Sequence, residues 1–496
     1  MWRRVPRADD ERVTEIIPGP HMSPLEILAL LGALALLVAR WLPPAARPPV
    51  TIAAAAAFVL PTAVLTVLGL RWQMLPVLAG GVLALPFAVS PLIRRRAGRP
   101  ARRARWWLAL PGSLLCVVLT ATGPAAAWAF PVPVFPEPTG DFAVGTRVLQ
   151  WTDPDRAETA TPEPDDRRTV VVQLWYPAQK SPAGTRRAQY LGRTEQEART
   201  VSDALARYAG LPDFLVDGVP RARTHAVPDA PVAAGGGRFP LVLFSPGLGG
   251  VRTQNTAWAE ELASHGYVVA ALDHPYDSAA VVLTDGRTIG TEVGSTGDDE
   301  EDNRRAAETA GIRAADLGFV LTQLDRLDRG GADGPLTGRL DTGRAAVTGH
   351  SLGGAAALRA ARQDPRFAAV IDLDGYPRDP TPLPYHQPAL ALTQAIGPGT
   401  DARYLPRLTE VLKLSTATSY RLTVPGAAHL TFTDAPLYLP PVPAMVGSLG
   451  RTESQRVVAA TTLAFLDATL RHQPGDLAGA LSAYGELTVH RPGDSR

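Results

Sequence analysis

Apolar residues along this chain follow two patterns, one in each half. Runs without any charged residue occupy 50–70, 74–93 and 106–130, and a shorter apolar run covers 25–42. Each long run has the roughly 20 residues that a helix needs to cross a hydrocarbon core of about 30 Å. The first half therefore predicts a transmembrane region at 22–130 with about four spans.

The second half alternates short apolar runs with amphipathic stretches. Strands that are buried on both faces of a parallel sheet appear as continuous apolar runs. Such runs lie at 170–175, 241–244, 267–272, 345–348, 368–373, 389–392 and 419–424. Helical periodicity is found at 304–328, 352–362, 401–413 and 454–471. This alternation predicts an α/β fold with a mostly parallel sheet and helices on both faces.

The remaining segments differ in composition from both regions. Residues 131–168 are rich in Pro, Asp, Glu and Thr, which indicates a linker and the entry to the globular domain. We expect that domain over 169–480, followed by a C-terminal tail at 481–496. Met22 stands directly before the first apolar run, so we expect 1–21 to be a mis-assigned N-terminal extension.

The distribution of charge bears on partners and location. The formal net charge is only +1, which argues against the concentrated basic face that nucleic-acid binding requires. Seven arginines lie within 94–105, between the third and fourth spans, and short basic loops of this kind stay cytoplasmic. We therefore expect an integral protein of the cell membrane, with everything after about residue 130 on the extracytoplasmic side.

Neither the cysteine content nor the acidic run of the chain indicates a metal site. Its single cysteine, Cys116, lies in an apolar run, which excludes an intrachain disulfide and a cysteine-based zinc site. The acidic run at 298–302 lacks the regular ligand spacing of a calcium-binding loop, and we expect it to be a solvated loop. We expect neither a metal ion nor a cofactor.

The most informative motif lies within 345–358. An apolar strand leads into Gly-His-Ser-Leu-Gly at 349–353, and a helix of small residues follows. Gly-x-Ser-x-Gly between a strand and a helix is the nucleophile elbow, a strained turn that exposes the serine hydroxyl at the carboxyl edge of a sheet. The pattern predicts that Ser351 is a catalytic nucleophile.

A serine hydroxyl needs a base to remove its proton near neutral pH. In the fold that carries this elbow, an acid and then a histidine follow the serine along the chain. Asp374 ends the strand after the elbow helix and is the predicted acid, with Asp372, two residues earlier and deeper in the sheet, as the alternative. His429 directly follows the late strand at 419–424 and is the predicted base.

Negative charge that develops on a substrate carbonyl oxygen needs N–H donors aimed at it. One donor should be the backbone N–H after the nucleophile, which belongs to Leu352. A glycine-rich loop follows the strand at 241–244, and the amide of Leu248 in this loop is the second candidate. The loop lacks the spacing of phosphate-binding motifs.

Together, these segments resemble the platelet-activating factor acetylhydrolase branch (group VII phospholipase A2-type) of the α/β-hydrolases. The resemblance covers about 140–435. It rests on Leu-Trp-Tyr-Pro at 174–177, Phe-Ser-Pro-Gly-Leu-Gly at 244–249, Leu-Ala-Ser-His-Gly-Tyr-Val-Val-Ala at 262–270, Gly-His-Ser-Leu-Gly-Gly at 349–354 and Asp-Leu-Asp-Gly at 372–375. In that family the acid lies on the strand directly after the nucleophile, unlike in polyester hydrolases and cutinase-like lipases.

The resemblance implies a membrane-anchored serine ester hydrolase that cleaves short or oxidised acyl esters of lipids, without Ca²⁺ or a cofactor. The activity that the resemblance implies includes that of a 1-alkyl-2-acetylglycerophosphocholine esterase. The family's triad and oxyanion roles fall on Ser351, Asp374, His429, Leu248 and Leu352. A general carboxylesterase or polyester (cutinase-like) hydrolase remains an alternative. A non-catalytic membrane receptor with a hydrolase fold is a further alternative. The intact triad argues against this alternative.

Overall fold

The computed structural model describes the chain in seven ranges: 21–98, 106–235, 237–294, 296–331, 334–379, 381–397 and 401–492. Two compact units are present, Met1–Val134 and Phe135–Arg496. The expected extension at 1–21 lies almost entirely outside the described residues. Residues 99–105 of the arginine-rich loop also lie outside the described residues.

The N-terminal unit contains four apolar helices within its described residues. They are Pro24–Ala39, Arg47–Leu68, Met74–Arg96 and Trp106–Ala129. By length and composition, three segments could cross a membrane: Arg47–Leu68, Met74–Arg96 and Leu110–Ala129. The predicted first span is a shorter helix of 16 residues, since it ends at Ala39.

Close helix packing and one buried ion pair hold this unit together. A Cβ at Gly32 would overlap the backbone of Phe58, so only glycine allows the first two helices to approach this closely. Glu26, at the start of the first helix, pairs with Arg71 at 3.1 Å, and both side chains are buried. Arg71 lies between the second and third helices, so the pair ties the first helix to that connection.

The C-terminal unit is built on a mixed sheet. Its strands are β1 Ala143–Ala157, β2 Arg167–Ala178, β3 Val227–Pro228, β4 Phe239–Ser245, β5 Val268–Asp273, β6 Ala280–Val282, β7 Thr288–Gly290, β8 Leu340–His350, β9 Phe367–Leu373, β10 Ala389–Thr393, β11 Ser419–Thr423 and β12 Glu486–His490. Ten of them form one sheet in the order β12-β11-β10-β9-β8-β4-β5-β2-β1-β3, and β6 pairs with β7. The run from β11 to β5 is parallel throughout, whereas β12 and β2 join it antiparallel.

Helices cover both faces of this sheet. The longer ones are Glu195–Tyr208, Thr256–Ser264, Asp299–Asp328, Leu352–Gln363, Tyr404–Lys413 and Arg451–Leu470, and the shorter ones are Pro443–Val446 and Leu477–Ser482. In β4, Leu241 and Leu243 enter one hydrophobic core, while Val242 and Phe244 enter the core on the opposite face. Burial on both faces explains why the central strands are continuously apolar. The predicted α/β architecture is confirmed.

Two segments expected from composition to be a linker with the domain entry and a C-terminal tail contain strands of the sheet. β1 lies inside the segment 131–168, which was expected to be a linker and the entry to the domain, and its residues 143–152 pair with β2 in an antiparallel ladder. β12 lies inside the supposed tail at 481–496 and pairs with β11. Both strands are near the ends of the sheet and are only partly buried, so their sequences lack a continuous apolar run.

The acidic run at 298–302 also differs from its predicted loop. Asp298 caps the helix Asp299–Asp328, and its side chain accepts hydrogen bonds from the backbone N–H groups of Glu300 and Glu301. Carboxylates in the first turn of a helix interact favourably with the positive end of the helix dipole. The clustered acids therefore start a helix.

Candidate active site

Ser351 occupies a strained turn at the carboxyl edge of the sheet. It lies between β8 and the helix Leu352–Gln363 with φ +56° and ψ −121°, a conformation that residues with a side chain rarely adopt. A Cβ at Gly349 would overlap the backbone of Gly353, and one at Gly353 would overlap the carbonyl of Ser245. The two glycines of the motif are therefore required for the elbow to pack against its neighbours.

The structure brings the three residues of the predicted triad together. Nε2 of His429 lies 2.9 Å from Oγ of Ser351, and Nδ1 of His429 lies 2.7 Å from Oδ2 of Asp374. Because a carboxylate can only accept, Nδ1 carries the hydrogen and donates it to Asp374. Nε2 is then free to accept the hydroxyl hydrogen of Ser351. This is the tautomer that a general base requires.

Further donors fix the carboxylate of Asp374, which is buried at the end of β9. Oδ1 accepts from the backbone N–H of Gln394 at 2.9 Å and from the hydroxyl of Tyr404 at 3.0 Å. Oδ2 accepts from the side-chain amide of Gln394 at 3.0 Å as well as from His429. Sequence reasoning missed Gln394 and Tyr404. Only the position of Gln394, directly after β10, pointed to this edge.

Asp372, the alternative acid, does not contact His429. It lies in the interior of β9, where Oδ1 accepts from the backbone N–H of Gly375 at 2.9 Å. Within the described residues, its Oδ2 has no hydrogen-bond partner. Burial raises the pKa of Asp372 well above its ordinary value, and the nearby charge of Asp374 adds to this.

The two candidate oxyanion donors are backbone amides without an internal acceptor. Leu352 is the first residue of the elbow helix, where N–H groups have no intrahelical partner. Leu248 follows β4 in the loop 246–250, called the oxyanion loop below. In the part of the chain that the structure describes, neither the Leu248 nor the Leu352 amide donates to a protein acceptor. Both are therefore free to bind an oxygen of a substrate.

A buried arginine holds the oxyanion loop from beneath. Arg313 donates to the carbonyl of Pro246 and, at 3.0 Å, to that of Gly247. Its guanidinium also makes a two-point ion pair with Asp277, at 2.5 and 2.7 Å. Because the C=O and N–H of a trans peptide point in opposite directions, binding the Gly247 carbonyl turns the Leu248 N–H away from Arg313.

The ion pair with Arg313 also sets the charge of Asp277. Burial alone would raise the pKa of Asp277, but the guanidinium of Arg313 outweighs this and holds that pKa below its ordinary value. The carboxylate therefore stays charged and keeps the guanidinium in place. Sequence reasoning found neither residue, because no local motif connects them to the loop.

A second hydrogen-bonded set of Ser, His and Asp side chains lies next to the oxyanion loop. Oγ of Ser245 is 2.9 Å from Nε2 of His274, and Nδ1 of His274 is 2.8 Å from Oδ2 of Asp316. All three residues are fully buried, so no substrate can reach this serine. Asp316 is further held by Arg168 at 2.8 Å. These hydrogen bonds therefore link the ends of β4 and β5 to the helix Asp299–Asp328.

Within the described ranges, no group of three or more His, Cys, Asp or Glu side chains is arranged to hold a metal ion. The lone thiol, Cys116, is buried in the N-terminal unit. The site offers a serine hydroxyl, an oriented imidazole and two backbone amides without an acceptor among the described residues.

Comparisons with known proteins identify the family of this chain. The family described as platelet-activating factor acetylhydrolase, isoform II, matches residues 129–476. A curated relative named "Platelet-activating factor acetylhydrolase", from Cavia porcellus, is 33% identical over 154 residues, which is 28% of this chain and 35% of the relative. The "Probable 1-alkyl-2-acetylglycerophosphocholine esterase" of Arthroderma benhamiae is 26% identical over 283 residues, covering 53% of this chain and 64% of the relative. The chain thus matches about a third of the length of the Cavia porcellus relative.

A solved structure covers more of the chain. The ferulic acid esterase from Streptomyces cinnamoneus is 32% identical with a TM-score of 0.57, over 71% of this chain and 98% of that one. Together with the parallel sheet and its helices, this match confirms the predicted α/β-hydrolase fold.

Proposed function

The chain belongs to the family of platelet-activating factor acetylhydrolase, isoform II, and on that premise we propose that it is a membrane-anchored carboxylic ester hydrolase. The observation that carries this proposal is the alignment of Ser351, His429 and Asp374 by hydrogen bonds of 2.9 and 2.7 Å. In the proposed site Ser351 is the nucleophile, His429 the general base and Asp374 the residue that orients the imidazole.

The proposed reaction has two halves. Oγ of Ser351 attacks the ester carbonyl while Nε2 of His429 takes the hydroxyl proton, and the Leu248 and Leu352 amides hold the resulting oxyanion. The carbon–oxygen bond of the leaving alcohol then breaks, and His429 returns the proton to that oxygen. In the second half, His429 takes a proton from water, the hydroxide attacks the acyl-enzyme, and Ser351 recovers its proton as the acid leaves.

We propose lipids with short or oxidised acyl chains as the substrates. Family membership supports this choice, as does the fungal relative named as a 1-alkyl-2-acetylglycerophosphocholine esterase. Three helices long and apolar enough to span a membrane suggest that the enzyme works beside lipid. We further propose the cell membrane as the location, with the C-terminal unit on the extracytoplasmic side.

A general carboxylesterase is the second candidate function. It is favoured by the match to a ferulic acid esterase, which covers 98% of that chain and is therefore more extensive than the curated matches. Such an enzyme would accept soluble esters at least as well as lipids.

An acyl-length series tests the proposal and separates the candidates. Purified full-length protein should hydrolyse p-nitrophenyl acetate and butyrate, and should release acetate from a 2-acetyl ether phospholipid faster than it cleaves a long-chain phosphatidylcholine. A fluorophosphonate probe should label the wild type but not Ser351→Ala. Absence of labelling in the wild type would overturn the proposal that the protein is an enzyme and would favour a binding protein. Preference for soluble aromatic esters over every lipid would favour the general carboxylesterase.

A further inference from the structure

Gln254 connects the oxyanion loop to the loop that carries His429. It lies between β4 and the helix Thr256–Ser264, and its side-chain Oε1 accepts from the backbone N–H of Gly247 at 3.0 Å. Its Nε2 lies 2.8 Å from Nδ1 of His350. Nε2 of His350, in turn, lies 3.0 Å from the carbonyl oxygen of His429. Three hydrogen bonds in series therefore join Gly247 to His429.

The direction of each bond in this series is fixed by its ends. A backbone N–H can only donate, so Oε1 of Gln254 faces Gly247 and Nε2 must donate to Nδ1 of His350. A carbonyl can only accept, so Nε2 of His350 carries the hydrogen that goes to His429. Only the neutral Nε2–H tautomer of His350 satisfies both neighbours at once. A protonated ring would present a hydrogen at Nδ1 to the amide hydrogens of Gln254.

The surroundings of His350 keep the ring neutral. The side chain is buried, and its ring lies 4.6 Å from that of His429, centroid to centroid. Burial, and then the nearby charge of protonated His429, lower the pKa of His350 well below its ordinary value. The series of bonds should therefore persist while His429 gains and loses its proton.

We propose that Gln254 and His350 are positioning residues that fix the oxyanion donor relative to the catalytic base. The inference rests on the proposed function, since it concerns the same Leu248 amide and the same His429. Gln254 and His350 contact neither Oγ of Ser351 nor Asp374 by a hydrogen bond. They act through the backbone on either side of the reacting atoms.

The peptide planes of the oxyanion loop show how this works. In the Pro246–Gly247 peptide, Arg313 binds the carbonyl and Gln254 binds the N–H. In the next peptide, Arg313 binds the carbonyl of Gly247, which turns the N–H of Leu248 away from Arg313. Losing the Gln254 bond would release one side of the first plane, and the Leu248 donor would no longer be held in a single orientation.

The backbone of Gln254 is held independently of its side chain. Its carbonyl accepts from the backbone N–H of Asp434 at 2.9 Å, and the neighbouring Asn255 side chain donates to the carbonyl of Phe432 at 2.7 Å. The two partners, Phe432 and Asp434, lie just after His429 in the sequence. Replacing only the side chain of Gln254 should therefore remove the series of bonds and leave this backbone attachment in place.

Gln254→Met in the full-length, detergent-solubilised protein tests the proposal. Methionine has nearly the same length but cannot bridge Gly247 and His350. Hydrogen exchange of the peptide around 246–248 gives a readout that does not depend on activity. Within those three residues only Gly247 has a bonded amide, because Pro246 has none and the Leu248 amide has no internal acceptor. We expect faster exchange at Gly247, and a fall in kcat of about 10-fold with KM changed by less than about 2-fold.

Gln387→Met is the matched control. Gln387 is also buried, and its amide donates to the carbonyls of Ala361 and Phe367, at the opposite end of β9 from Asp374. This variant should lower the melting temperature but leave kcat and the exchange of Gly247 unchanged. An equal loss of kcat in both variants would reduce the role of Gln254 to general stability and overturn the proposal.

A double-mutant cycle with His350→Phe tests whether the two residues act as one. Phenylalanine keeps a ring against His429 but removes both nitrogens. Because either change breaks the same series, the double variant should be about as slow as the single variants. Rate losses that multiply, or unchanged exchange at Gly247 in Gln254→Met, would overturn the proposal. The wild type could prove inactive towards esters while the Gly247 amide still exchanges faster in Gln254→Met. In that case the proposed function fails, and the contact between Gln254 and Gly247 stands.

Discussion

The hydroxyl of Tyr404 donates to Oδ1 of Asp374 at 3.0 Å, on the carboxylate oxygen that does not face His429. Tyr404 begins the helix Tyr404–Lys413 and is buried. Burial raises the pKa of Tyr404 well above its ordinary value, and the charge of Asp374 adds to this. The phenol therefore remains a donor throughout the pH range in which a serine esterase works.

Removing this hydroxyl should slow the reaction without abolishing it. In Tyr404→Phe, Asp374 loses one donor but keeps both bonds from Gln394, so its orientation towards His429 should loosen. We expect kcat to fall about 5-fold, the equivalent of about 1 kcal/mol, in p-nitrophenyl acetate hydrolysis. Tyr267→Phe is the matched control, since its buried hydroxyl donates to Asp467 at 2.7 Å, away from the site. Equal losses in the two variants would contradict a role for Tyr404 at the triad.

The two aspartates of β9 should respond in opposite ways to replacement by asparagine. Asp374→Asn would favour the wrong tautomer of His429, and kcat should fall about 10⁴-fold. Asp372→Asn replaces a buried carboxyl group that does not contact His429, and it keeps the oxygen that accepts from Gly375. Its kcat should stay within about 3-fold of the wild type. Steady-state kinetics of both variants, with circular dichroism to check folding, measure this. The reverse pattern would move the acid role to Asp372.

Local motifs made part of the candidate site predictable. The elbow around Ser351 depends on φ and ψ within one turn and on two nearby glycines, so a short sequence pattern contains the necessary information. Asp374 and His429 could be placed because parallel strands end at the same edge of a sheet. The fold class followed from the continuous apolar runs, which double-sided burial requires.

Other features depend on contacts between distant segments, and no short pattern encodes them. Gln254 reaches His350, and Arg313 reaches the carbonyl of Gly247, through side chains that have no motif around them. β1 and β12 pair with their neighbours near the ends of the sheet, where few of their residues are fully buried. Their composition therefore looks like that of a linker or a tail.

Acid should destabilise the folded chain through two buried histidines. Burial lowers the pKa of His274, and nearby Arg313 contributes; burial and then His429 lower that of His350. Below about pH 6.5 the unfolded chain binds protons that these folded rings resist, so stability falls as pH falls. Each group contributes a slope of up to about 1.4 kcal/mol per pH unit.

His350→Phe isolates one of these contributions. The variant loses hydrogen bonds to Gln254 and His429 at every pH, so its melting temperature should be lower throughout. The further drop between pH 7.5 and 5.5 should be smaller than in the wild type, because one titrating group is gone. Thermal unfolding of both proteins in the same detergent measures the two slopes. Equal slopes would show that His350 does not hold a depressed pKa.

The orientation in the membrane can be tested with single cysteines. Cys116 is the only natural cysteine, so Cys116→Ala gives a background without thiols. Arg94, Arg95 and Arg96 end the helix Met74–Arg96, and basic residues at the end of a span favour the cytoplasmic side. In the proposed orientation, one further span, Leu110–Ala129, would lead to the C-terminal unit on the other side.

In that background, a membrane-impermeant maleimide should label Arg287→Cys in intact cells. Arg287 is exposed and forms an ion pair with the exposed Asp285, so the change should cost little stability. Arg96→Cys, exposed at the end of its helix, is the matched control and should react only after the cells are permeabilised. Labelling of Arg96→Cys but not Arg287→Cys in intact cells would put Ser351 in the cytoplasm. The proposed lipid substrates would then have to come from the inner leaflet.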